Sequence, residues 1–565
     1  MIFIIRRCLC LFGFLVAGSA NAEQLLSQEE LVDDTKQMLG LIEDIHPQPY
    51  LKSGGKIAFH NLYQSILSAI PDDGMSREDF RGLLSPLLAA IGDGHTYIYA
   101  DGPFDFAGIP LLFYVVQQEL FVAAVPEENQ RQYLGDRLRA VEGVEIDELI
   151  RRTQAYYGAD NIYGTLVQLA NFELFLAKRA VLEDLVPEWK DKSVVNVSLL
   201  SPGGELRHVS LAAGPQTNMK FHRPEARLEL PPLHGLEFGW GFLDDQQEVA
   251  YLRVLRMTKN RETYEKRASY SDVTEEVFEF HRNIYNNLKN PSFDEALSAL
   301  PSLTETYADL FEQMKSAGST SLIIDLRTNI GGWALPADIL IYFLYGKDAL
   351  IDVHRRVNIA TRKLSPQYLD DDPDQSLGEL NTVAMTEGAR DYELSNTDFD
   401  FSDPNKLADG RLHEGYARKL VEDDLALSPT FFAEYQTGKY SNFYSPRNVT
   451  VVTDSATFSA GLMFAQYLKL LGATVVGNVP SQNIGQMGET VHYELDNSKL
   501  GGAISRSFLL HDSEMTNSEA AESTLQPDHE LTFEALKKYG FARSSAVEYA
   551  FEIIMTNKPG IEISD

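Results

Sequence analysis

Apolar positions recur at intervals of three and four along two early stretches: Leu31, Met38, Leu39 and Ile42, with Thr35 on the same face, then Leu62, Ile66, Leu67 and Ile70. Such spacing lines one side of a helix, so residues 23–100 are expected to form a helical N-terminal part. Ser76-Arg-Glu-Asp79 before Phe80 reads as a capping box with Asp in place of the usual Glu. It would open a third helix carrying Leu83, Leu87 and Leu88, with a kink expected at Pro86. Gly92-Asp-Gly-His95-Thr96 then breaks the pattern, and Tyr97-Ile-Tyr99 begins to alternate.

From 107 to 213 the period is shorter. Leu111–Val116 and Leu120–Ala124 flank a Gln-Gln-Glu turn, and Val194–Leu200 and Leu206–Leu211 flank Ser-Pro-Gly-Gly. Both pairs predict hairpins, and Ala140–Ile146 predicts a strand and turn leading into a helix at Asp147. This stretch reads as a module of its own.

Beyond residue 235 the order becomes strand, loop, helix. Val249–Val254, Leu322–Leu326, Val449–Val452 and Ala473–Gly477 are short apolar runs. Helical patterns follow the middle two, Trp333–Tyr345 and Ala460–Leu471. Repeated units of this kind imply a parallel sheet covered by helices, an α/β core over 235–565. Two polar stretches, near 259–290 and 350–445, look inserted. The second contains Asp370-Asp-Asp-Pro-Asp374, which suits a solvated loop better than a calcium site.

The first 22 residues stand apart. Arg6 and Arg7 precede an apolar run from Cys8 to Val16, and small residues end at Ala20-Asn-Ala22. That is the form of a secretory signal peptide cut after Ala22; the rival reading is an N-terminal membrane anchor, for which the run is short against roughly 20 residues. The only two cysteines, Cys8 and Cys10, would leave with it. The rest would then have no disulfide, no thiol nucleophile and no thiolate metal site. No later run approaches a membrane span, so an exported protein, periplasmic or secreted, is expected. Lys and Arg total 49 against 82 Asp and Glu, a net charge of −33, which argues against nucleic acid or an anionic membrane as partner. At 565 residues the chain has room for two to four domains.

Open parallel sheets bind ligands beyond the carboxyl ends of their strands, so two loops matter most. Asp325-Leu-Arg327-Thr-Asn329-Ile-Gly331-Gly332 has paired glycines that can aim backbone N–H groups at a negative oxygen. Thr453-Asp-Ser455-Ala-Thr457-Phe-Ser459-Ala460-Gly461 places Ser459 at a strand-to-helix turn, the layout of a nucleophile with an oxyanion donor beside it. A plain helix N-cap is an equally natural use of that serine. His95, in its Gly-rich turn, is the outstanding candidate base among twelve histidines. No HExxH or other close-spaced ligand set occurs, so neither metal nor cofactor is expected. The G-x-S-x-G elbow of ordinary α/β-hydrolases is absent too.

Taken in order, Asp93-Gly-His95-Thr96, Leu322-Ile-Ile-Asp-Leu-Arg-Thr-Asn-Ile-Gly-Gly332, Thr457-Phe-Ser-Ala-Gly461 with Val475-Val-Gly477, and Gln526-Pro-Asp528 resemble the C-terminal processing (tail-specific) serine peptidases, family S41. The resemblance implies a helical N-terminal part, a PDZ-like module at 107–213 and a crotonase/ClpP-like catalytic core. It puts the nucleophile at Ser459 and the oxyanion donors at the N–H groups of Ala460 and of Gly331 or Gly332. The processing branch takes its base from a Gly-Lys-Gly string about 25 residues after the serine; the matching Asn478–Gln486 contains no lysine. The sequence is closer to the branch of the tricorn core protease, whose base is a histidine in the early motif, here His95. Its orienting glutamate would be Glu522, five residues before Pro527, with Glu519 the second choice. Tricorn's helper serine before the histidine is Gly94 here. The expected function is an exported serine peptidase acting on peptides or proteins. Its rivals are an inactive binding protein of the same fold and an esterase using the same residues.

Overall fold

Helices Gln28–Ile45, Lys56–Ala69 and Arg77–Ala89 form the N-terminal part, with Leu31, Met38, Ile42, Phe59, Ile66, Leu84 and Leu88 turned inward. A computed structural model describes residues 25–98, 109–170, 182–189, 192–213, 220–234, 236–270, 272–285, 291–357, 359–362, 414–510, 512, 515 and 517–556. The expected signal peptide and the Asp370–Asp374 run lie outside the described residues. Ser76 does cap the third helix, accepting the Asp79 N–H at 3.1 Å. The Asp79 carboxylate takes the Ser76 hydroxyl at 2.7 Å; aspartate is one methylene shorter than the glutamate of a full capping box. The helix continues through Pro86.

Strands 112–116, 119–124, 137–141, 194–200 and 206–212 make an antiparallel sheet in that order, including both expected hairpins. The strand expected over Ala140–Ile146 is two, Arg137–Val141 and Val144–Glu145, paired across Glu142 and Gly143; the helix starts at Ile146. Both turn residues have positive φ, 50° and 78°, which reverses the chain in two residues.

In the core sheet the strands run in the order His529–Glu530, Thr474–Gly477, Asn448–Thr453, Ser321–Asp325, Val249–Val254 and Phe238–Phe242. The first five are parallel and the last is an antiparallel edge. Side chains alternate between two helical layers, as a strand's period of two requires. Ala250, Leu252, Leu322, Ile324, Val451 and Val475 pack with helices Leu303–Ala317, Leu335–Val357 and Ala460–Leu470. Tyr251, Ile323, Val452 and Val476 face Leu536, Val547, Ala550 and Ile554 near the C-terminus. Burial on both faces explains why these strands read as continuous apolar runs.

The described parts of the polar stretches are less loose than their composition suggests. Tyr264, Val277 and Phe280 share a small core with Leu300. Helices Glu414–Ala426 and Pro429–Thr437 insert Ala417, Val421, Leu425, Phe431 and Tyr435 into the main core. A long antiparallel hairpin, Gly485–Glu494 with Gly501–Leu510, had no counterpart in the sequence reading. It also pairs with Tyr97–Ile98, and Leu495, Leu500 and Ile504 close the core of the N-terminal helices.

Candidate active site

Strands Ser321–Asp325 and Asn448–Thr453 are parallel neighbours, so the loops leaving their carboxyl ends meet. Asp325 is fully buried and accepts the Tyr251 hydroxyl at 2.7 Å and the Arg327 guanidinium at 2.9 and 2.7 Å, with Arg253 2.5 Å away. Burial pushes this carboxyl up, but the charges of Arg253 and Arg327 hold it well below the usual carboxylate range. The loops are then stitched together. Thr328 N–H donates to Asp454 Oδ1 at 2.8 Å, the Thr457 hydroxyl to Leu326 O at 2.9 Å, and Phe458 N–H to Asn329 O at 2.9 Å.

Ser459 sits at the top of this junction, half-buried, at the start of helix Ala460–Leu470. Its backbone has φ 55° and ψ −131°, a strained setting for a residue with a Cβ, and the surrounding hydrogen bonds hold it there. Gly331, at φ +95°, lies against it so closely that a Cβ there would fall 2.7 Å from Ser459 Cβ and 2.8 Å from Ala460 N. Only glycine fits both the conformation and the space.

His95 comes from the turn after the N-terminal helices, and its Nε2 lies 3.0 Å from Ser459 Oγ. Asp93 organises that turn. Oδ1 accepts the His95 N–H at 2.8 Å; Oδ2 accepts the hydroxyls of Thr96 and of Ser505 on the long hairpin, each at 2.6 Å. Burial would raise the Asp93 carboxyl; the imidazole of His46, 3.5 Å away, with His95 and the Ser505 hydroxyl, outweighs it and holds the group well below its ordinary range. The His95 ring packs on Phe458, centroids 4.5 Å apart. A Cβ at Gly94 would stand 2.8 Å from Asp160 Oδ2 and 3.1 Å from Phe458, so the place of a helper serine is already filled.

The remaining expectations fare differently. Gly331 N–H donates to Asn329 Oδ1 at 2.9 Å, which removes Gly331 as a donor and leaves Gly332 of the two glycines. Ala460 opens its helix, where the first N–H groups have no intrahelical acceptor. Glu522 is exposed at the end of helix Asn517–Glu522, and Glu519 is exposed one turn earlier. The side chain found 3.1 Å from His95 Nδ1 is Gln482, fully buried, and its Oε1 accepts the Ser459 N–H at 2.5 Å. Sequence reasoning missed Gln482, although it lies within the Asn478–Gln486 segment singled out for lacking a lysine. The nearest downstream lysines are engaged elsewhere, Lys469 with Gln526 O and Asp528, and Lys499 with Glu494. Asp528 of the Pro-Asp string is structural: its N–H and carboxylate each bond Val475 at 2.8 Å.

Residues 287–530 match the model of Peptidase family S41. No curated protein matches the chain. Among solved structures, mature CPAF aligns with a TM-score of 0.55 at 13% identity, covering 95% of this chain and 99% of that one. Mature CPAF complexed with lactacystin gives 0.53 at 13% identity, over 94% and 98%. At such identity the likeness is one of fold, and it reaches well outside 287–530. The tricorn protease aligns at a TM-score of 0.29 and 12% identity, over 94% of this chain and 37% of that one, too remote to argue from. The resemblance to family S41 therefore stands over residues 287–530, within a mixed α/β chain. No helix among the described residues is long and apolar enough to cross a membrane.

Proposed function

We propose that the protein is an exported serine-type peptidase of the tricorn-like kind, with Ser459 as nucleophile and His95 as general base. The observation that carries this is the 3.0 Å approach of His95 Nε2 to the hydroxyl of a strained serine on a strand-to-helix turn. In the proposed reaction Ser459 Oγ attacks the scissile carbonyl carbon while Nε2 takes the hydroxyl proton. The N–H groups of Ala460 and Gly332 hold the oxyanion. The tetrahedral intermediate collapses as the imidazolium returns the proton to the leaving amine, giving an acyl-enzyme. Water, deprotonated by the same nitrogen, then releases the acid and restores the serine. Within this reading the antiparallel unit at 107–213 is the PDZ-like module and the parallel sheet is a crotonase/ClpP-like core. Export rests on residues 1–22.

A serine-reactive phosphonate tests the proposal. It should label the protein at Ser459, labelling should vanish in Ser459→Ala, and a peptide should turn over. An unlabelled, folded protein would point to a binding protein instead. Labelling with ester turnover alone would point to an esterase.

A further inference from the structure

Gln482 makes two hydrogen bonds whose donors and acceptors are not interchangeable. A backbone N–H can only donate, so the atom 2.5 Å from Ser459 N is the amide oxygen, Oε1. That fixes the orientation of the whole amide: the group 3.1 Å from His95 Nδ1 is Nε2, which can only donate. Nδ1 must accept it and therefore carries a lone pair. A neutral imidazole then has its proton on Nε2, the nitrogen 3.0 Å from Ser459 Oγ. In that tautomer His95 donates to the serine and cannot remove its proton. Turning the amide over would free Nδ1 to carry the proton, but would set an NH₂ against the Ser459 N–H.

We infer that Gln482 is a positioning residue that holds the Ser459–His95 pair in a resting protonation state, and that turnover requires its amide to leave this double contact. The inference rests on the reading of Ser459 and His95 as nucleophile and base. Gln482 is suited to the part by its place. It is fully buried between Ser481 and Asn483, and Asn483 ties the loop to Asn161 at 3.1 Å and to Ala521 O at 2.5 Å. The amide therefore cannot drift out of register on its own. A shift of this loop, which lies between strand Thr474–Gly477 and the long hairpin, would release both contacts at once. It would let Nδ1 take the proton and Nε2 face the serine as a base.

The decisive variant is Gln482→Glu. A carboxylate accepts at both oxygens, so it can keep the Ser459 N–H while accepting a hydrogen bond from an Nδ1–H, which puts the lone pair on Nε2. Two measurements separate the inference from the reading beneath it. Nitrogen-15 NMR of the imidazoles, with His95 assigned by the signals lost in His95→Gln, should place the His95 proton on Nε2 in the unmodified protein and on Nδ1 in Gln482→Glu. This readout needs no activity. The phosphonate labelling rate at about pH 8, where a buried glutamate is more fully ionised, should rise on the order of tenfold in Gln482→Glu. Gln482→Ala, which removes the amide without supplying an acceptor, should label at least as fast as the unmodified protein. An Nδ1 proton in the unmodified protein would overturn the inference. So would slower labelling in both folded Gln482 variants, which would make the amide a support of the reactive state. Absence of Ser459 labelling in every variant, with the proton still on Nε2, would instead remove the peptidase reading and leave the tautomer assignment standing.

Discussion

Gly331→Ala should disable the site without unfolding the protein, and the structure gives the size of the effect. Two penalties combine. The backbone sits at φ +95°, where an L-residue costs about 1–2 kcal/mol. The added methyl would also fall 2.7 Å from Ser459 Cβ, 2.8 Å from Ala460 N and 3.0 Å from Phe458 O. Two of these neighbours are backbone, so no flexible side chain can yield, and overpacking of this kind costs about 1–3 kcal/mol. The expected loss is therefore about 2–5 kcal/mol. Part of it is relieved by pushing Ser459 away from His95, and a displacement near 1 Å costs about 10²-fold in rate. Gly318→Ala supplies the control. Gly318 ends helix Leu303–Ala317 at φ +70° with nothing within 4 Å of its would-be Cβ, so it bears the conformational penalty alone. Thermal unfolding and phosphonate labelling should be measured on both variants. Gly331→Ala should label at least 100-fold more slowly than Gly318→Ala, whose rate should be that of the unmodified protein. Equal labelling rates, with equal melting temperatures, would refute the claim that Gly331 holds the nucleophile in place.

His95→Ala should lower kcat/KM by about 10³-fold or more while circular dichroism stays unchanged, and in the unmodified protein kcat/KM should rise with pH through about 6–7, where an imidazole loses its proton. Full activity in the folded variant would remove His95 from the mechanism. Lys469→Ala and Lys499→Ala should each retain activity within a few-fold, since both ammonium groups are held away from Ser459 by Asp528 and Glu494; a loss matching Ser459→Ala would restore a serine–lysine dyad. His354 concerns stability alone. Burial lowers its pKa, but Asp338 at 2.8 Å outweighs that and raises it above the ordinary value. Its contribution is therefore complete below about pH 6.5 and is lost as pH rises through the raised value. Unfolding midpoints in urea should fall over that range and fall less in His354→Gln; parallel curves would contradict the assignment.

The parts of this molecule that could be read from sequence are those where one local rule dominates. Strands buried on both faces leave apolar runs, so Leu322–Leu326 and Val449–Val452 were legible, as were the turns beside them. The hairpin 485–510 was not, because Gly488, Gly501 and Gly502 and scattered polar residues interrupt its alternation. Gly502 is required there: a Cβ would meet Tyr97 O at 2.1 Å. Helices Glu414–Ala426 and Pro429–Thr437 looked like insertion because they share a stretch with the acidic run Asp370–Asp374, yet their apolar residues reach the main core. Within the site, Ser459 and His95 stood out by residue type and motif. The choice between Gly331 and Gly332 depended on where the Asn329 side chain turns back. Glu522 was chosen by its place five residues before Pro527, where the resemblance puts an orienting acid, and nothing in the sequence marked Gln482. Spacing along the chain says nothing about which side chain arrives.

The two halves of the site are braced by different means, and this bears on how the site could be controlled. Ser459 is fixed from within the core: the Asp325 ion pairs and the Thr328–Asp454, Thr457–Leu326 and Phe458–Asn329 bonds all join neighbouring strand ends. Its strained φ can be tolerated because those contacts overdetermine the turn. The frame of His95 is of another kind, drawn from outside the parallel sheet, with the Gly94 N–H on Asp160 Oδ2 at 3.0 Å and Lys52 on Gly92 O at 2.9 Å. Its turn hangs on Asp93, which reaches the N-terminal helices through His46 and the long hairpin through Ser505. A buried carboxylate that loses one of several donors is left partly uncompensated, a cost larger than that of a neutral hydrogen bond. The nucleophile is thus held by the ends of the core strands, while the base is held by a joint between the N-terminal helices and the hairpin. The loop of Gln482 enters that same hairpin. The hairpin thus meets the site at two points, at the His95 turn through Ser505 and at the His95–Ser459 pair through the loop of Gln482.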